Sequence, residues 1–264
     1  MNIYINRIAH CMHPLAATKI IIGFIKREVR DRNSKGVVLG LSGGLDSSVA
    51  VVLAAKALGP SRVLGLILPE HNTVSKQQEI GDALWLAKNL RIHHKLIEIG
   101  SAGNELANLL PANKFAHGNL VARLRMCVLY YYAGIRRLLV MGTSDRSELE
   151  IGYFTKYGDG AADILPIGGL YKTDVKEVGR FLQIPSQILG KKSTPGLWKG
   201  QVAEEELGLP YEEIDEILRE LKKNGPRLAT FNAKKVQKVI SLVEQNKHKH
   251  SLPPICMIEN NHVK

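Results

Sequence analysis

Cysteine is scarce. The 264 residues include three, Cys11, Cys127 and Cys256, far apart and without C-x-x-C spacing, which argues against a disulfide framework or a thiol-held zinc site. No apolar run is long enough to span a bilayer. Met1 to His13 lacks the long apolar core of a signal peptide, so the expected location is the cytoplasm. No internal repeat and no long linker appear, and one domain over residues 1–264 is expected. Aromatics make up 6% of the chain, and no stretch interleaves them with basic residues in the manner that stacks bases. Acid is in deficit, with 25 Asp and Glu against 36 Lys and Arg and a formal net charge of +11. Such a balance suits nucleic acid or a small polyanionic substrate drawn by the summed field. The basic residues are scattered, which favours the small substrate and solvation over nucleic acid.

What is present is organised around Gly40-Leu41-Ser42-Gly43-Gly44-Leu45-Asp46-Ser47-Ser48. The apolar run Val37-Val38-Leu39 leads in and an Ala/Val-rich segment to Leu58 follows, which predicts strand, glycine turn and helix start. Glycines let successive backbone N–H groups converge on one point, and the helix start adds the positive end of its dipole. Both suit phosphate. A Walker loop would carry Gly-Lys-Ser/Thr here, but this chain has Leu45-Asp46-Ser47. A carboxylate beside a phosphate nest is repulsive unless a cation lies between them, so Asp46 is a candidate Mg²⁺ ligand; the bland alternative is an N-cap. Ser-Gly-Gly-x-Asp-Ser after a strand resembles the pyrophosphate loop of the ATP-pyrophosphatase superfamily.

Helical spacing predicts helices over Pro14–Arg32, Ser75–Leu90 (with a Ser75/Gln78 capping box), Asn119–Tyr132, Asp174–Leu182 (with Thr173 as N-cap), Tyr211–Lys223 and Asn232–Asn246. Strands are predicted over Val63–Leu68, His94–Ile99 and Ile135–Met141, with a short helix and a loop over 100–118. The alternation implies a mostly parallel α/β sheet with helices on both faces and a C-terminal helical extension. In that architecture ligands sit at the carboxyl ends of the strands. The loops Pro69-Glu70-His71-Asn72 and Gly142-Thr143-Ser144-Asp145 belong there. Gly152 to Asp163, rich in glycine and aromatics, has no period, and a long irregular segment inside a domain points to function.

Several side chains carry candidate chemistry. Of Arg123 and Arg125, two apart on a helix, one is expected to face the site. Glu148 is a second metal ligand or a first-turn glutamate favoured by the dipole. Lys156 and Lys172 are compact cations fit for phosphate or solvated lysines. Asp159 and Asp163 bind a hydroxyl, hold a cation or make Asx turns. His248 and Lys249 bind an anion or fray with the tail.

Together these stretches resemble NAD synthetases from about Leu15 to the tail. The resemblance rests on Leu41 to Ser48, on Ala122-Arg123-Leu124-Arg125-Met126, on Gly142 to Glu148 running into Gly152 to Gly160, and on Gly196-Leu197-Trp198 with Glu206-Leu207-Gly208. It implies amidation of deamido-NAD by ammonia, with ATP as co-substrate and Mg²⁺ as cofactor, through an acyl-adenylate, giving NAD, AMP and pyrophosphate. It places ATP phosphates on Ser42, Gly43, Gly44, Ser47 and Ser48, and ATP on Asp46, Thr143, Lys172 and Thr194. It places Mg²⁺ on Asp46 and Glu148, and deamido-NAD on Arg123, Lys156, Asp163, His248 and Lys249. Asp159 falls near the ammonia, and Asp46, Lys172 and Asp159 form the implied catalytic set. A homodimer with substrate at its interface is also implied. Departures are Ile67, where some members carry arginine, Gly169 for aspartate, and Val202-Ala203 for threonine-aspartate. Only a short segment precedes the first helix where glutamine-dependent members carry an extra amide-hydrolysing domain, so free ammonia is the expected direct donor unless a separate glutaminase chain supplies it. The rival, a tRNA-modifying relative, gains from the charge but lacks cysteine pairs for sulfur transfer.

Overall fold

The run Gly36-Val37-Val38-Leu39-Gly40 is β-branched and apolar on both faces, which only a strand covered on both sides satisfies. In the computed structural model, which describes residues 13–70, 74–198 and 200–257, it is β1 (Gly36–Gly40), at the centre of a four-stranded parallel sheet. The first helix, α1 (Pro14–Asp31), precedes it, with proline in its first turn and Ile21, Ile25 and Val29 on the buried face. The turn after β1 opens α2 (Leu45–Leu58). Then follow β2 (Val63–Ile67), α3 (Val74–Asn89), β3 (His93–Leu96) and α4 (Gly100–Ala107). A long helix, α5 (Lys114–Arg136), leads to β4 (Leu138–Val140) and α6 (Arg146–Ile151). The rest is helical: α7 (Lys172–Phe181), α8 (Ser186–Leu189), α9 (Ala203–Leu207), α10 (Tyr211–Lys223) and α11 (Ala233–Asn246).

Strand order is β3-β2-β1-β4, with Val38 opposite Leu64 on one side and Val140 on the other. Successive side chains of β1 alternate between faces. Val37 and Leu39 pack with α1, α2, α3 and α7 in one core, and Val38 packs with Val121 and Ala133 of α5 in another. A third cluster, around Tyr211, Ile214, Ile217 and Val239, joins α10 and α11 to α6. Every strand runs the same way, so the carboxyl ends of β1, β2 and β4 share one edge, where the glycine turn and Gly142–Asp145 meet.

Several expectations shift at their boundaries. The fourth strand begins at Leu138, because Ile135 and Arg136 complete α5 and Arg137 turns left-handed to end it. That helix starts at Lys114 rather than Asn119, since the Asn113 side chain accepts from the Ala116 N–H and caps it. The third strand is shorter, ending at Leu96. Helix α7 starts one residue before Thr173, with Tyr171 at the N-cap position and the Asp174 side chain accepting from the Tyr171 N–H. Helix α3 begins at Val74; the Ser75 side chain, His71-Asn72, most of Met1–His13 and the end of the tail lie outside the described residues.

Candidate active site

The glycine turn closes on itself before it meets any ligand. Gly43 has a φ of +75°, a conformation that favours glycine, and a Cβ there would lie 2.2 Å from the Glu79 carbonyl oxygen. Ser47 is buried, and its Oγ lies 3.0 Å from Ser42 Oγ. Ser48 donates its hydroxyl to the Gly44 carbonyl at 2.7 Å. Ser42 and Asp46 line the cavity beside the turn, whereas Ser47 and Ser48 brace the turn from behind.

Asp46 meets the second feature one helical step on. Lys172, at the start of α7 and 2% exposed, places Nζ 2.8 Å from Asp46 Oδ2, 2.7 Å from Asp145 Oδ2 and 2.9 Å from Glu148 Oε1. The Tyr211 ring lies beneath, 5.0 Å from Nζ to its centroid. Asp145 and Glu148 form the capping box of α6. Asp145 Oδ1 accepts from the Glu148 N–H at 2.8 Å, and Glu148 Oε2 accepts from the Asp145 N–H at 3.3 Å. Each acid thus gives one oxygen to the helix end and turns the other to Lys172.

Three carboxylates face one ammonium, so the ionised cluster carries an excess of negative charge in a buried place. Burial and the neighbouring acids push Glu148 well above the usual carboxyl range. Burial raises Asp145 to about 6, against the pull of Lys172. Burial disfavours the Lys172 charge, but the three carboxylates outweigh it and hold the ammonium protonated well above the ordinary lysine range. The donor set fits a divalent cation. One oxygen each from Asp46, Asp145 and Glu148 lie within 4.8 Å of one another. Asp46 Oδ1 is buried with no hydrogen-bond partner among the described residues.

Two adjoining cavities meet at this cluster. The larger, about 540 Å³, is lined by Ser42, Asp46, Thr143, Glu148, Asp159, Thr194 and Lys249 among others. The smaller, about 360 Å³, holds Gly44, Asp46, Glu148, Lys172 and Thr194 on its wall, with Lys176, Lys191 and Lys192. Asp159 borders both, held by the Thr155 N–H at 2.9 Å, and burial pushes its carboxyl up.

The remaining candidates gather on the 152–158 segment. Lys249 donates to the carbonyls of Gly152 at 2.6 Å and Phe154 at 2.9 Å. Lys156 donates to the His248 carbonyl at 2.7 Å, and Arg123 to the Lys156 carbonyl at 3.3 Å. Asp163 lies apart from that group, accepting from the Val140 N–H at 2.7 Å at the end of β4. Of the two arginines, Arg125 lines the larger cavity, its Nε donating to the Leu68 carbonyl at 3.1 Å, while Arg123 is exposed.

One of the two arginines faces the site as expected, and it is Arg125; sequence reasoning passed over Asp145 and the Tyr153–Glu206–Gln201 group, in which the Tyr153 hydroxyl and Gln201 Nε2 both donate to the Glu206 carboxylate on the wall of the larger cavity. A signal for Asp145 was present, since Asp-x-x-Glu at a helix start is a capping pattern. Glu206 stands in a stretch that carries the resemblance, but its partner Tyr153 is remote in sequence and meets it only through the fold.

Comparison with known proteins agrees with this geometry. A family model described as NAD synthase matches residues 17–253. The chain is 44% identical over 248 residues to the NH(3)-dependent NAD(+) synthetase of Staphylothermus marinus, covering 90% of each chain. Among solved structures it is similar to NMN synthetase from Francisella tularensis, with TM-score 0.82, 35% identity and coverage of 94% of this chain and 99% of that one. It is likewise similar to the NH3-dependent NAD synthetase from Campylobacter jejuni, with TM-score 0.82, 31% identity and coverage of 93% and 100%.

Proposed function

The chain belongs to the NAD synthase family, and we propose that its site joins ammonia to deamido-NAD at the expense of ATP, giving NAD, AMP and pyrophosphate. It is a ligase that forms a C–N bond. The observation that carries the reading is the meeting of the glycine turn with the Lys172 carboxylate cluster, which sets a phosphate cradle against a divalent-cation site.

The chemistry follows from the substrate. A carboxylate is a poor acyl donor. Its oxygen attacks the α-phosphorus of ATP, an O–P bond forms, and the bond to the β-phosphate oxygen breaks, releasing pyrophosphate. The nitrogen of ammonia then attacks the acyl carbon, a C–N bond forms, and AMP leaves with the C–O electron pair. The turn's N–H groups, with Ser42, Gly43 and Gly44, bind and orient the phosphates, and Ser47 and Ser48 hold the turn's shape from behind. Asp46 and Glu148, with Asp145 in the same cluster, would hold Mg²⁺, which would supply charge neutralisation at the phosphates. Lys172 binds the leaving pyrophosphate from within the same cluster, and Thr143 and Thr194 border the nucleotide. Asp159, its carboxyl raised by burial, is placed to take a proton from the attacking nitrogen. Arg123, Lys156, His248 and Lys249 gather around the 152–158 segment to meet the dinucleotide phosphates, and Asp163, apart from them, orders the end of β4.

The chain acts as one domain in the cytoplasm and pairs as a homodimer with deamido-NAD at the interface. Exposed apolar side chains one turn apart on α5, Tyr131 and Ile135, supply a surface for that partner. Among the described residues no helix is long and apolar enough to cross a membrane.

A second reading takes nicotinate mononucleotide as the acceptor, favoured by the similarity to an NMN synthetase. One experiment separates the two. The protein is given ATP, Mg²⁺, ammonium and either acceptor, and amide product and pyrophosphate are followed together, with Asp46→Ala alongside. Equal NAD and pyrophosphate from deamido-NAD, both lost in the variant, is the expected result. Product from the mononucleotide alone selects the second reading. Neither product from either acceptor rejects both.

A further inference from the structure

Lys191 reaches the glycine turn by a backbone contact, where Lys172 meets it through the Asp46 side chain. Lys191 follows α8, and its Nζ lies 2.8 Å from the Gly43 carbonyl oxygen and 2.6 Å from Asp82 Oδ2. Gln187, on α8, donates to the other Asp82 oxygen at 3.1 Å. Asp82 is buried on α3, three residues beyond Glu79, and residues three apart share one helix face. That face grips Gly43 twice: the Glu79 carbonyl fills the space of a Cβ, and Asp82 holds the Gly43 carbonyl through Lys191. In a trans peptide the C=O and the next N–H point opposite ways. With the Gly43 carbonyl on Lys191, the Gly44 N–H is aimed inward, 3.2 Å from Ser42 Oγ.

We propose that Lys191, fixed by Asp82 and Gln187, is a positioning residue that sets the Gly43–Gly44 peptide for the ATP phosphates. The lysine holds the loop in its anion-binding orientation before ATP arrives, and its ammonium adds positive charge to the wall of the smaller cavity. Lys172 faces three carboxylates, Lys176 is paired with Glu212 and Lys192 with Glu205, whereas Lys191, paired with Asp82, also bonds the turn's backbone. The proposal rests on the reading of this turn as the phosphate cradle.

The test is steady-state kinetics of Lys191→Met, Lys191→Arg, Asp82→Asn and Ser42→Ala, with inhibition by inorganic pyrophosphate and melting temperature measured on each. In Lys191→Met, the KM for ATP and the pyrophosphate inhibition constant are expected to rise about ten-fold, the scale of one charge-assisted hydrogen bond. The KM for deamido-NAD is expected to hold within about two-fold on the same argument, and Lys191→Arg to recover part of the loss. Unchanged ATP and pyrophosphate constants overturn the proposal. So does an equal rise in every KM alongside a lower melting temperature, the mark of a merely structural residue. If Lys191→Met does not fold, Asp82→Asn carries the same expectation and is judged by the same outcomes. Ser42→Ala separates the two failures. If it leaves the ATP constant unchanged, the cradle reading itself fails; if it raises that constant while Lys191→Met does not, the lysine alone is misassigned.

Discussion

Asp145 and Glu148 show how one side chain serves the fold and the site at once. One oxygen of each closes the end of α6, so their other oxygens are aimed at Lys172 by the helix geometry itself. Asp159 is held in a similar way, by the Thr155 N–H, and the Arg125 charge offsets only part of its burial. Burial raises its carboxyl above the ordinary value of about 3.9. The folded protein therefore holds that proton more tightly than the unfolded chain. The stabilisation is full below the unfolded value and is lost as pH rises through the folded one. Asp159→Asn keeps an acceptor for Thr155 and does not titrate. In urea unfolding at stepped pH from about 3.5 to about 7, the stability gap between the two proteins should drift in favour of the Asn variant as pH rises, then level off. A gap independent of pH would mean that Asp159 is not raised.

At the scale of elements, the 152–158 segment is held by parts far away in sequence. Gly152 has a φ of +69°, and a Cβ there would lie 2.1 Å from Asn246 Cβ. Asn246 in turn donates to the Ile151 carbonyl at 3.0 Å, and Lys249 to that of Gly152. Gly152→Ala should lower stability by about 1–3 kcal/mol through the strained backbone, and more where Asn246 has to move. It should also raise the KM for deamido-NAD more than the KM for ATP, because the tail is pushed from the segment while the glycine turn stays put. Equal changes in both constants would count against the assignment of the 152–158 segment to deamido-NAD.

The same scale shows what could be read ahead of the structure. The glycine turn, the parallel sheet and the two C-terminal amphipathic helices follow from local periodicity and turn chemistry, so they were legible. The start of α5 was not, because Gly118 and His117 weaken the helical pattern that the Asn113 cap and the packing of Leu197 and Trp198 against Gly118 restore. Arg125 facing the cavity in place of Arg123 is decided by where α5 lies against β2, which spacing along one helix cannot tell. Lys191 and Asp82, more than a hundred residues apart, meet only through the fold.

For the whole molecule, the formal charge of +11 acts on the approach of substrates that carry several phosphates. Such a field raises encounter rates and is screened by salt. The kcat/KM for deamido-NAD should fall several-fold between about 10 mM and about 200 mM ionic strength while kcat changes little. A flat profile would assign the basic surface to solubility alone.

The clip of Lys249 on Gly152 and Phe154 sets an order for assembly at the ribosome. All four strands have left the exit tunnel long before Asn246 and Lys249 are translated, and the sheet, with its glycine turn, can form while the 152–158 segment still waits. A nascent chain can therefore cradle a nucleotide before it can close on the second substrate, and competence for the full reaction arrives with the last stretch of helix.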